Sequence, residues 1–154
     1  MMGPTLSDAP RRVDTMRRYN PWRALHQSPD ITLLWARLDG CLGLWHERSR
    51  TMILDPRQSQ VERRCTLAYE AVRAERRHDG PQSEREDASV RLEAARKLID
   101  IYDLGDKIVW AQDPAELADE LFVDEATLLT RMQHLHPAEA GYLKARLAAR
   151  DGVT

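Results

Sequence analysis

The run CTLAYEAVRAER, residues 65–76, decides how the rest of the chain is read. Together with Val61 upstream, Cys65, Ala68 and Val72 recur at i, i+4, i+7 and i+11, which lines up one face of an α-helix. Ser59 and Glu62 precede the run as an S-x-x-E capping box, a helix-start signature. The helix is therefore predicted to start at Ser59, run to about Arg77 and stop at HDGPQS, 78–83. Inside it, Tyr69, Glu70 and Arg73 belong to the string YEAVR, which taken alone is an ordinary amphipathic stretch.

Upstream the hydrophobic period is two. ITLLWARL, 31–38, is rich in β-branched and aromatic residues and short enough for a strand. The DG pair at 39–40 is a turn signal, and CLGLWHER, 41–48, sets Cys41, Gly43 and Trp45 against Leu42, Leu44 and His46. TMILD, within 50–55, gives a third strand stopped by Pro56. Connections this short predict a small antiparallel meander without crossovers. Before it, YNPWRALHQSP, 19–29, leaves room for one or two helical turns.

Downstream the period stays helical. Val90, Ala94, Leu98 and Ile101 form one stripe of a helix over about 85–100, and Leu92, Ala95, Ile99 and Tyr102 form another. A helix apolar on two sides is expected to be buried on two sides. A short helix follows within DLGDKIVWAQDP, 103–114. PAELADELFVDEATLLTRMQHL, 114–135, fits helix, tight turn, helix, with Phe122 where such turns usually take glycine. A last helix covers about 137–150, with Ala140, Leu143 and Leu147. The predicted class is α+β: a small three-stranded antiparallel sheet on a helical core, followed by a helix-turn-helix-like segment. Three parts are expected: a flexible basic arm over 1–18, an α+β domain over 19–112, and the helical segment 113–154 packed on it.

With 42% hydrophobic and 31% charged residues, the 154-residue chain can bury a core. A net charge of −2 supplies no global field toward nucleic acid or anionic membrane; the positive charge is local, at Arg11, Arg12, Arg17 and Arg18. Cys41 and Cys65 lack C-x-x-C spacing and read as small buried residues of a reducing compartment. No apolar leader or membrane-length stretch occurs, so a cytoplasmic location is expected. There is no G-x-S-x-G, no Gly-rich phosphate loop, and no catalytic motif around either cysteine. His26, His46, His78, His134 and His136 are scattered.

The strings YNPWRAL, LDPRQSQVERRCTLAYEAVRAER, VRLEAARKLI and DPAELADELFVDEATLLTRM, in this order, resemble the ImmA/IrrE family of metallo-endopeptidases. The likeness is to the short forms from actinobacteria and their phages, and it spans roughly 19–150. It implies a minimal zincin fold whose first helix carries H-E-x-x-H and whose second helix supplies a carboxylate as third zinc ligand. Residues at i and i+4 share a helix face, so two imidazoles there can grip one ion while the intervening Glu acts as general base. Carried onto this chain, the ligand positions fall on Tyr69, Arg73 and Asp87, with one residue of slack to Glu86, and the base on Glu70.

A neutral phenol is a poor zinc ligand, and a guanidinium offers no lone pair. The resemblance therefore implies a degenerate, non-enzymatic form that has lost zinc and needs no cofactor. Arg73 is expected to stand where zinc stood and to face Asp87. The cleft is expected to comprise Tyr69, Glu70, Arg73, Asp87 and Trp45, with Trp35 on its rim. Active family members cleave helix-turn-helix repressors, so a phage or mobile-element repressor is the implied protein partner. A residually active metallopeptidase and a DNA-binding regulator are the alternatives. Against DNA binding, the second helix of the helix-turn-helix-like unit opens on Asp124 and Glu125, leaving only Arg131 and Gln133 to contribute.

Overall fold

The computed structural model describes residues 18–152. The predicted arm lies outside them except at Arg18, whose guanidinium is 2.5 Å from Asp103. Helix α1, Pro21–His26, starts with Asn20 accepting the Trp22 and Arg23 amides and Pro21 in its first turn. Strands β1 (Thr32–Trp35), β2 (Gly43–His46) and β3 (Thr51–Leu54) follow. The long helix α2, Gln60–Glu75, is opened by the Ser59–Glu62 capping box, with both reciprocal hydrogen bonds present. The chain turns away just past its end at Arg77, which takes a left-handed φ of 54°. Helices α3 (Glu84–Leu98) and α4 (Ile101–Ile108) come next, then α5 (Pro114–Glu120), α6 (Glu125–Gln133) and α7 (Pro137–Gly152). Ser83, Asp100, Asp113 and Asp124 are the N-caps of α3 to α6.

The fold is α+β, but the sheet is mixed rather than an antiparallel meander. Its order is β1-β3-β2, with β1 parallel and β2 antiparallel to the central β3. Segment 36–42 arches over the end of β3, so two strands adjacent in sequence become the two edges. The buried carboxylate of Asp55 pins that arch. It accepts the Leu38 amide at 2.9 Å and is gripped by Arg57, while the Asp55 amide donates to the Leu42 carbonyl. Hydrogen bonds from Arg57 and from the two backbone amides hold Asp55 far below the usual carboxylate range. Alternation along a strand fixes which face each residue occupies but says nothing of which strand lies beside it.

Helices α2 and α3 are both buried on two sides, α3 lying between α2 and α6 with Val90 of one stripe and Ala95 and Ile99 of the other fully buried. Leu67 and Ala74 pack against Trp45, Met52 and Leu54 of the sheet. Cys65, Ala68 and Val72 pack against Val90, Ala94 and Leu98 of α3 and the leucines of the C-terminal helices. Tyr102, expected on an apolar stripe of α3, is instead 65% exposed in α4, because the chain breaks helix at Ile99 and restarts at the Asp100 cap. The α5–α6 connection does carry its left-handed residue at Phe122, with φ 57°. Among the described residues, no helix is long and apolar enough to cross a membrane.

Candidate functional site

A cleft of about 480 Å³ opens between the free edge of β2 and the helices α2, α3 and α6. That volume lies within the range of ligand-binding pockets. Its wall on the sheet side is set by an unusually close approach. A Cβ placed on Gly43 would sit 2.6 Å from Thr66 Cγ2 and 3.1 Å from Glu70 Cγ, so glycine there lets β2 lie directly on α2. The Asp55 amide bonded to Leu42 O sets the phase of the β2–β3 ladder. By alternation Leu44 also turns its main chain to β3, leaving the N–H and C=O of Gly43 and Trp45 on the open edge.

The α2 side chains Tyr69, Glu70 and Arg73 all line this cleft. Glu70 is only 2% exposed, and burial pushes its carboxyl up to about 7 even with the Arg73 cation opposing the shift. Arg73 Nη1 lies 3.4 and 3.5 Å from the two Glu70 oxygens, a loose contact, while Nη2 donates to the Gly80 carbonyl at 2.9 Å. The Arg73 Nε is buried and has no hydrogen-bond partner among the described residues. The expected Arg73–Asp87 pairing does not form. Asp87 instead accepts from the Tyr69 hydroxyl and from Arg91 Nε at 2.7 Å. The i, i+4 spacing on α3 gives Arg91 the shorter reach to this acid. Burial would raise the Asp87 pKa, but the hydrogen bonds from Tyr69 and Arg91 hold it below the ordinary range. Glu86 is exposed, its amide donating to the Ser83 cap, so Asp87 is the acid that reaches Tyr69.

The Tyr69 phenol is pushed up to about 12, chiefly by burial and then by its bond to Asp87. Gln82 donates to the same oxygen at 2.7 Å and in turn accepts from His78 Nδ1 at 2.8 Å. A polar chain thus runs from His78 through Gln82 and Tyr69 to Asp87 and Arg91, whose guanidinium lies 5.4 Å from the Tyr69 ring centroid.

These residues do not fit a zinc ion. The Tyr69 phenol keeps its proton at neutral pH and spends it on Asp87; both Asp87 oxygens are engaged; Arg73 offers only donors. Among the described residues, no three His, Cys, Asp or Glu side chains gather as a metal-binding group. The Cys65 thiol is also on the cleft wall, but burial pushes it up, away from the thiolate.

Two aromatic residues belong elsewhere. Trp45 is 5% exposed and faces α2 beneath the sheet, with the Arg50 guanidinium 4.8 Å from its ring. Its position in β2 sends the side chain to the core while only its main chain meets the open edge. Trp35 stacks on Trp22 at 6.1 Å between centroids, beside α1. Thr66, Arg91, Asp124 and Thr127, none of them anticipated, complete the walls. Thr66 sits one helical turn before Glu70, and its hydroxyl donates to Gln58 at 2.5 Å. Arg91 stands one turn after Asp87, and both spacings were readable on a helical wheel.

No family model, curated protein or solved structure matches this chain.

Proposed function

We propose that the chain is a non-catalytic relative of the ImmA/IrrE metallo-endopeptidases, which docks a segment of a regulatory protein, such as a phage or mobile-element helix-turn-helix repressor, in its cleft. The family assignment rests on the residue strings alone. The observation that carries the reading is how the ligand positions are filled. Tyr69 is hydrogen-bonded to Asp87 and Arg73 is lodged against Glu70, yet a cleft of about 480 Å³ remains beside the open edge of β2. Unpaired main-chain groups on a strand edge can add an extended segment as a further strand, and the neighbouring cavity selects its side chains.

One observation favours the enzymatic alternative. A buried Glu70 with a pKa near 7 has the poise of a general base, and such residues concentrate at functional sites. Against it, Arg73 occupies the space beside that carboxylate. The DNA-binding alternative loses its main candidate residue. Arg131 is 3% exposed, donates to the Ile99 carbonyl at 3.0 Å, and forms a two-pronged pair with Glu139 at 2.9 and 2.6 Å.

The test is purification without chelator, metal analysis, and incubation with a helix-turn-helix repressor encoded beside this chain. The expected result is no stoichiometric zinc and an intact complex that is lost when Thr130→Arg fills the cleft from α6. Stoichiometric zinc with chelator-sensitive cleavage of the repressor would establish the enzymatic alternative. A complex indifferent to Thr130→Arg would move the docking site away from the cleft.

A further inference from the structure

The other flank of α6 bears a second surface, which shares Ala126 with the cleft. Ala126, Leu129 and Met132 recur at three-residue intervals and face Ile108, Pro114 and Leu117 across a groove of about 650 Å³. Leu129 is 56% exposed, although its neighbour Leu128 is buried in the core. Among the described residues the stripe is left uncovered on one side: α4 ends at Ile108, and α5 closes only one wall.

Charge on this groove has one sign. Asp113 and Glu125 line it, both exposed, and among the described residues no cationic side chain does. Asp113 Oδ1 caps α5 through the Glu116 amide, which accounts for one of its oxygens. Neither acid has a cationic partner among the described residues, whereas nearby Asp106 and Glu120 are paired with Arg146 and Lys107. An open apolar channel between helices is the geometry that receives the apolar face of another helix, through anchors at i, i+3, i+4 and i+7. Uncompensated carboxylates at its rim set the sign of the flanking charges.

We propose that the α4–α5–α6 groove docks an amphipathic helix of a partner protein whose apolar stripe is flanked by lysine or arginine. This inference stands apart from the cleft. Leu129 and Glu125 are not on the cleft wall, so either site can fail without the other.

Two fluorescein-labelled model helices test it on the full chain by anisotropy. Both carry leucine at i, i+3, i+4 and i+7; one is flanked by lysines, the other by glutamates. The lysine-flanked helix should bind more tightly, with a preference that shrinks as salt rises. Leu129→Asp should weaken it at least tenfold, as loss of a central anchor does. Because Leu129 is exposed, that variant keeps its core. Glu125→Lys combined with Asp113→Asn, which retains the cap, should lower affinity for the lysine-flanked helix about threefold or more and raise it for the other. Equal binding of the two helices, or indifference to Leu129→Asp, overturns the proposal. So does a dimer that Leu129→Asp converts to monomer, which would assign the groove to a second copy. A peptide of residues 1–17 displacing both helices would assign it to the chain's own N-terminal segment and overturn it equally.

Discussion

Replacing Gly43 by alanine should destabilise the fold, though alanine is ordinarily the better residue in a strand. The added methyl would stand 2.6 Å from Thr66 Cγ2, with Glu70 Cγ at 3.1 Å and Leu54 Cδ2 at 3.4 Å. Thr66 cannot easily turn aside. Its β-branched side chain has few rotamers on a helix, and rotation would break the 2.5 Å bond to Gln58, whose amide is in turn tied to the Leu42 and Asp55 carbonyls. Overpacking of this kind costs about 1–3 kcal/mol. Restricting the unfolded chain returns about 0.4–1 kcal/mol, leaving a net loss of about 1–2 kcal/mol. For a chain of this length that lowers Tm by about 3–6 °C. Thr66→Ser removes the offending methyl and keeps the hydroxyl. Alone it should cost about 1 kcal/mol for the lost buried methyl. In the Gly43→Ala background it should cost nothing or restore stability, a favourable coupling of about 1 kcal/mol in the double-mutant cycle. Urea denaturation of the four proteins measures this. A Gly43→Ala protein as stable as its parent, or a coupling near zero, would refute the close-approach account of the cleft wall.

Three more outcomes are expected. Glu70, whose folded pKa is raised from 4.5 to about 7, contributes most below pH 4.5 and loses stability as pH climbs through 7. Glu70→Gln should therefore gain on its parent by roughly 3 kcal/mol between pH 4.5 and 8, read from urea midpoints at each pH. Glu139 is held down to about 2, chiefly by its bonds from Arg131, so its stabilisation is present above pH 4.5 and fades as pH falls through 2. Glu139→Ala leaves the buried Arg131 without its counterion and should cost about 2–3 kcal/mol at pH 7, with a smaller difference at pH 3. Phe122 adopts φ 57° with its side chain 66% exposed, so Phe122→Gly should raise stability by about 0.5–1 kcal/mol in calorimetry, with α5 and α6 retained by circular dichroism.

Helix boundaries were the most readable part of the chain because capping is local. The Ser59–Glu62 pair marks the start of α2 in the sequence, and the same two hydrogen bonds close it in the fold. The strands and the faces of Trp45 and Leu44 were also legible, since a period of two needs no knowledge of neighbours. Sheet order was not. The seven residues between β1 and β2 are compatible with a hairpin or an arch, and what selects the arch is Asp55, a residue distant from that loop in sequence. At the site, helical spacing brought Tyr69, Glu70 and Arg73 to one wall. It did not tell which acid each cation would reach, because that depends on how α2 and α3 cross. Residue type alone suggests Trp45 for the cleft, whereas its register in β2 points the ring inward.

Having β3 at the centre of the sheet also orders events in time. As the chain is made, β1 and β2 emerge first, yet neither can pair until β3 exists. The tight connection from His46 to Thr51 makes β2–β3 the local pair, and β1 must then return from residue 32 to lie beside residue 51. Local pairs close early because their loop entropy is small. The edge that walls the cleft is thus laid down with the first hairpin. The stack of Trp22 on Trp35, riding on the last strand to dock, would report completion of the sheet in a stopped-flow fluorescence trace.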